Sequence, residues 1–176
     1  MVAIREISMH RCLVILLISI AASLPANRAV GKDDKKVLLK PEKCRAIIQS
    51  QTEKLPAAWK KYNGFIKACS IFKSGAQEIN LISIWIQDYF DFKYPKDMTP
   101  VMEDFPRPVL VDQGFNVLGS LPEYYPDDPP RELEIYYSSK QTTPPDLFVR
   151  VHSPGAGGDY SYPPMMWNVK NKSYGN

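Results

Sequence analysis

Two periods divide the hydrophobic positions of this chain. Between Pro56 and Phe72, Trp59, Tyr62, Ile66 and Cys69 follow steps of three, four and three, with Phe65 and Phe72 beside them. That is the spacing of an apolar stripe on a helix. Lys60, Lys61, Asn63 and Lys67 fall on its wet side. Pro56 suits a first helical turn, where its missing N–H costs nothing. Gly64 weakens the middle by ~1 kcal/mol relative to alanine, and Ser74-Gly75 reads as the stop. A second helix is expected over Pro41 to Lys54, with Ile47, Ile48 and Leu55 as a smaller apolar face. A turn near Gln51–Pro56 makes the pair an antiparallel hairpin.

Downstream the period shortens to two. In Glu78–Asp91 both alternating sets are apolar near the centre, and β-branched and aromatic residues dominate. This predicts a strand buried on both faces, with a helical continuation as the alternative. Val109–Asp112 and Phe115–Leu121 flank Gln113-Gly114 and predict a hairpin. Glu132–Ser138 puts Leu133, Ile135 and Tyr137 on one face and Glu132, Glu134 and Tyr136 on the other. Leu147–His152 does the same, with Leu147, Val149 and Val151 inward and Phe148, Arg150 and His152 outward. Met165–Lys170 reads as the closing strand. Tyr94–Pro108, Leu121–Arg131, Thr142–Pro145 and Pro154–Pro164 carry the turn residues of loops. Helices first and strands later predict an α+β fold, with an N-terminal helical hairpin packed on a mostly antiparallel β-sheet.

The N-terminus changes which residues count. Met1–Arg11 carries Arg5 and Arg11, Cys12–Ala22 is an unbroken apolar run, and SLPANRAVG follows. This is the pattern of a secretory signal peptide. Ala29-Val30-Gly31 places cleavage after Gly31, with Ala26 as the second choice. The run is shorter than the roughly 20 residues a bilayer span takes, so no membrane contact is expected once residues 1–31 are removed; an uncleaved anchor is the alternative. Lys32–Lys40 reads as a charged, flexible arm, and residues 41–176 as a single domain. Export removes three arginines and one glutamate, taking the net charge from +3 to +1. That balance gives no strong electrostatic attraction to nucleic acid or anionic membrane.

Export also removes Cys12 and leaves Cys44 and Cys69. An even pair in an oxidising compartment favours one disulfide, with two free thiols as the alternative. In the hairpin the two lie at similar distances from Pro56 and meet at one end. On a single kinked helix they would stand ~37 Å apart. Two cysteines and one remaining histidine do not make a zinc set, and the sequence calls for no cofactor. Asn171-Lys172-Ser173 is a glycosylation sequon.

One set of side chains suggests chemistry. If Glu132–Ser138 pairs with Leu147–His152, then Glu134, Arg150 and His152 share a surface. A carboxylate base, an imidazole acid and a guanidinium are what cleavage of RNA through its 2′-hydroxyl requires. The bland alternative is a solvated face with a surface ion pair.

The order of helix, strand, a loop holding Tyr94-Pro95, then PPDLFVRV and a glycine-rich loop resembles the small secreted fungal ribonucleases of the T1 type and their non-catalytic effector relatives. The resemblance covers Tyr94–Lys170 and implies that Glu134 and Arg150 stand for the family's glutamate and arginine. No histidine follows Tyr94-Pro95, none lies in Met165–Lys170, and His152 sits in a different element. The expected function is therefore a small secreted, effector-type protein that binds a protein partner, in a host for example, without catalysis. Tyr94, Tyr124, Tyr125, Tyr160 and Tyr162, all in loops, are its candidate contact residues. A secreted T1-like ribonuclease acting on RNA is the alternative, and a bacterial periplasmic inhibitor or immunity protein is a third.

Overall fold

The computed structural model describes residues 31–85, 87–89, 105–122, 130–140, 143–152 and 159–175. The helical hairpin is absent. Among the described residues the chain is built of antiparallel strands, and its longest helical element is the 3-10 turn Ala57–Tyr62. Pro41–Lys43 is a 3-10 turn, Arg45–Ala46 a short strand and Gln49–Thr52 one turn of α-helix. The Gln51 side chain accepts the Ile48 N–H at that turn (3.2 Å), half of a capping box.

In chain order the strands are β1 (Asp34–Leu39), β2 (Arg45–Ala46), β3 (Ile66–Ser74), β4 (Gln77–Ile84), β5 (Val109–Asp112), β6 (Val117–Ser120), β7 (Glu132–Ser138), β8 (Phe148–His152), β9 (Asp159–Ser161), β10 (Met166–Asn168) and β11 (Ser173–Gly175). They form a five-stranded sheet, β2-β3-β4-β5-β6, a four-stranded sheet, β1-β7-β8-β9, and the hairpin β10-β11.

The supposed stripe is used in two pieces. Trp59 and Tyr62 are three apart on a 3-10 turn, which puts them on one side, and both are buried. Gly64 then takes a φ of +96°, the left-handed region that glycine reaches without penalty. From Ile66 the chain runs as a strand of nine residues. Ser74-Gly75 is not a helix stop. Ser74 pairs with Gln77 across a two-residue turn with Gly75, at φ +56°, in its first position.

The arm is corrected as well. β1 lies within Lys32–Lys40 and pairs along its length with β7, Val37 opposite Ile135 and Leu39 opposite Leu133. Its lysines do not argue against a strand, since charged residues are common on sheet edges.

β4 is the middle strand of the structure. Ile79 and Leu81 join the core between the two sheets, with Leu110, Leu133, Ile135 and Val149. Ile82 and Ile84 enter a second core on the opposite face, covered by Ile47, Leu55, Trp59 and Tyr62. The five-stranded sheet is thus buried on both sides, as the double apolar alternation of this segment requires. The strand stops at Ile84. Residues 87–89 are helical, and the Tyr89 N–H donates to the Trp85 carbonyl (3.1 Å). Tyr62, Tyr89 and Phe105 close the second core with ring centroids 5.1 to 5.6 Å apart.

The disulfide is present, with a different setting. Cys44 bonds Cys69 across 25 residues of sequence. Arg45 pairs with Ala68, which carries Cys44 opposite Cys69 on the neighbouring strand. The bridge joins β2 to β3; it does not clasp two helices. No described helix is long and apolar enough to cross a membrane.

The Gln113-Gly114 hairpin forms with a strained neighbour. Phe115 sits at φ +64° yet is buried in the second core. Burial of a phenyl ring, roughly 1.5–3 kcal/mol, offsets a left-handed cost of about 1–3 kcal/mol. On β6 a Cβ added at Gly119 would lie 3.0 Å from both the Cβ and the carbonyl oxygen of Tyr174. Gly119→Ala is therefore expected to destabilise the protein by about 1–3 kcal/mol in urea titrations. Gly175→Ala, whose Cβ would meet nothing within 4 Å, serves as the control. Met165–Lys170 is not the closing strand, because β11 follows β10 and pairs with it, Trp167 opposite Tyr174.

Candidate functional site: the outer face of the four-stranded sheet

β7 and β8 pair antiparallel, and the pairing brings the three proposed side chains together. Glu134 stands opposite Arg150 and Glu132 opposite His152. The alternation that sends Leu133, Ile135 and Tyr137 into the core sends Glu134 to the outer face, with Arg150 and His152 beside it. His152 Nε2 is 3.5 Å from Glu134 Oε1.

The sequence reading missed two further members. Lys36, on β1, donates to Glu134 Oε1, and the Tyr136 hydroxyl donates to Oε2 at 2.5 Å. Lys36 also lies over the Tyr136 ring, 5.8 Å from its centroid. Reading β1 as a loose arm hid the lysine. The signal that could have found it is the Val37/Leu39 alternation, which places Lys36 on the opposite side from those two core residues.

Glu134 is 8% exposed, although it faces outward, because these neighbours cover it. Burial alone would raise its carboxyl. The hydrogen bonds from Lys36 and Tyr136, with the charges of Lys36 and His152, outweigh that and lower it from 4.5 to about 2. The same contacts act in reverse on the partners. The Lys36 ammonium is raised, chiefly by its bond to Glu134. The Tyr136 phenol is raised by burial and by its bond to Glu134. At the sheet edge Lys40 pairs with Glu132 at 2.8 Å. Both Glu134 oxygens are taken by donors of its own sheet, and the group holds almost no proton at neutral pH. A general base needs a lone pair directed at its substrate and a pKa near the working pH. Glu134 keeps further lone pairs, but its carboxyl is held well below neutral pH, and its contacts tie β1 to β7 and β8.

That tie is pH-dependent. A carboxyl lowered in the folded state contributes stability above its unfolded value, near 4.5, and loses it as pH falls toward about 2. Glu134→Gln should cost on the order of 1 kcal/mol at pH 7, a value limited by solvent screening of half-exposed Lys36. Denaturant titrations from pH 7 down to 2 should show most of the difference between the two proteins disappearing.

The other candidate residues scatter. Tyr94, Tyr124 and Tyr125 lie outside the described residues. Tyr160 contributes backbone to β9, opposite Val151. Tyr162 is not a surface contact: it is buried in the core between the sheets, and its N–H donates to the Val149 carbonyl (2.9 Å). Asn171 is exposed in the turn between β10 and β11. Among the described residues no group of three or more His, Cys, Asp or Glu side chains is placed to hold a metal ion.

A second concavity lies at one end of the two sheets. The turns β3–β4 and β5–β6, the β7–β8 connection and the β10–β11 hairpin line a groove of 520 Å³, with Leu118, Trp167 and Val169 among its apolar walls. The groove was not visible in the sequence, because its walls come from four separate connections. Comparison with protein-family models, with curated proteins and with solved structures finds no match.

Proposed function

We propose that this chain is a secreted protein that acts by binding a protein partner and not by catalysis. The observation that supports this reading is that each oxygen of Glu134, on the same face as Arg150 and His152, already accepts a hydrogen bond, one from Lys36 and one from Tyr136. The disulfide and the apolar N-terminal run favour a place outside the cytoplasm. An antiparallel framework with binding residues on its loops is a common arrangement for recognition. Tyr124 and Tyr125 remain the first choice of contact residues on composition. Co-purification from the secreting culture should recover a partner that the Tyr124→Ala, Tyr125→Ala double variant fails to recover.

The ribonuclease reading is favoured by one observation, the convergence of Glu134, Arg150 and His152. Incubation with a labelled single-stranded RNA separates the two. We expect no cleavage above that of a His152→Ala variant. Turnover by the wild type that this variant lacks would replace contact with hydrolysis as the function.

A further inference from the structure

We infer that the groove at the end of the sheets is a binding site for a neutral carbohydrate. The inference goes beyond the contact reading and rests on different residues. Trp167 is the key side chain. Of the three tryptophans, Trp59 and Trp85 are 1% and 0% exposed. Trp167 alone is partly exposed, and it borders the groove.

The platform around it is fixed in advance. The Trp167 ring packs on Tyr174 with centroids 4.9 Å apart. Its backbone N–H donates to Asp146 Oδ1 (2.8 Å), and the Tyr174 hydroxyl donates to the Pro145 carbonyl (2.9 Å). Leu118 and Val169 extend the apolar surface, and Val169 is 75% exposed. Gln77, Gln113 and Thr143, from three different turns, add uncharged donors and acceptors.

The lining of the groove carries two carboxylates and one lysine, and a second lysine, Lys73, brings the rim to neutrality from outside it. Glu78 pairs with Lys73 at 3.8 Å. Asp112 accepts the Asn116 N–H (2.9 Å) and side-chain amide (2.8 Å), and Lys172 supplies a positive charge to the groove. A balanced rim gives no reason to select an ion. An apolar peptide face would strip water from Glu78, Asp112 and Lys172 without replacing it, whereas hydroxyl groups can hydrogen-bond to all three. What remains is a ligand that is apolar on one face and neutral and hydroxylated at its edge. A pyranose ring has both properties: its C–H face can lie on an indole while its hydroxyls meet amides and carboxylates. The volume falls in the range of small-ligand sites, about 300–1,000 Å³.

Tryptophan fluorescence reads this site directly, because the other two indoles are buried. The full chain, disulfide intact, is titrated with maltotriose, cellotriose, chitotriose and mannotriose. At least one should change the emission saturably, with a Kd of about 0.1–10 mM. Trp167→Ala should abolish the response. Because that change also removes packing on Tyr174, Gln113→Ala in an exposed turn is the second variant. It should weaken binding about three- to ten-fold, as loss of one hydrogen bond does, with the thermal midpoint unchanged. No saturable response to any of the four sugars overturns the inference, as does equal binding by wild type and Gln113→Ala. Saturable binding of the peptide acetyl-Leu-Phe-Leu-amide with no sugar response assigns the groove to a polypeptide instead. None of these failures bears on the RNA experiment, so the two proposals fall separately.

Discussion

Replacing both Cys44 and Cys69 by alanine should lower the unfolding free energy by about 3 kcal/mol, the chain-entropy value for a bridge spanning a loop of this size. Reduction of the wild-type protein should do nearly the same. β2 has only two residues, and the register around the bridge depends on Arg45 opposite Ala68 and on the Ile47 N–H bonding the Ile66 carbonyl at 3.3 Å. So short an edge has little to hold it besides the covalent link. The loss should therefore be local before it is global. Amides of 44–47 should exchange with solvent faster in the reduced protein, while β4 and β5 keep their protection until the chain unfolds. Cys69 is fully buried, and alanine there also leaves a small void. Equal denaturation midpoints with and without reductant would show that the bridge does not stabilise this fold.

Trp59→Ala should cost about 3–5 kcal/mol, the range for truncating a buried large aromatic side chain. Trp59 is 1% exposed and sits over the outer face of the five-stranded sheet, with Ile82, Ile84, Val109 and Val111 in the same cluster. Among the described residues no second sheet covers that face. Its lid is an irregular segment whose grip rests on a few anchors, Ile47, Leu55, Trp59 and Tyr62. Removing the largest anchor should uncover apolar surface as well as lower stability. Dye binding that reports exposed apolar surface should rise at a temperature where the variant is still mostly folded. Ile48→Ala, in the same segment but 64% exposed, should change stability by no more than about 0.5 kcal/mol.

What the sequence revealed about the fold depended on how far each segment is governed by local rules. β7 and β8 were legible because one face is buried and one is not, so the period of two is plain from Leu133 to Val151. β4 was legible from its double apolar alternation. The first helices were not. Trp59, Tyr62, Ile66 and Cys69 fit a helical stripe by count, but a 3-10 turn followed by a strand buries the same four residues. The discriminating marks were Gly64, which ends the turn, and the β-branched and aromatic pairs Phe65-Ile66 and Ile71-Phe72 on either side of the strand's centre. At the outer face of the four-stranded sheet, Glu134, Arg150 and His152 could be grouped from strand alternation alone. The Val37/Leu39 alternation could have put Lys36 on an outer face, but not beside Glu134, since the pairing of β1 with β7 is a long-range fact. The groove was illegible for the same reason, as four turns far apart in sequence build it.

Lys36 and Glu134 meet across 98 residues of chain, and that separation orders the assembly of the protein. β3 and β4, like β5 and β6, are joined by short turns, and the longest closure among these four neighbours is the connection 85–108 between β4 and β5. β1 leaves the ribosome before any of them, yet β7, its partner among the described residues, arrives almost a hundred residues later. If β7 has already paired with β8, β1 docks on a formed edge, and that pairing offsets the entropy of closing so long a loop. The first strand made is thus among the last to find its place, and until then its exposed backbone groups need water or a chaperone for company.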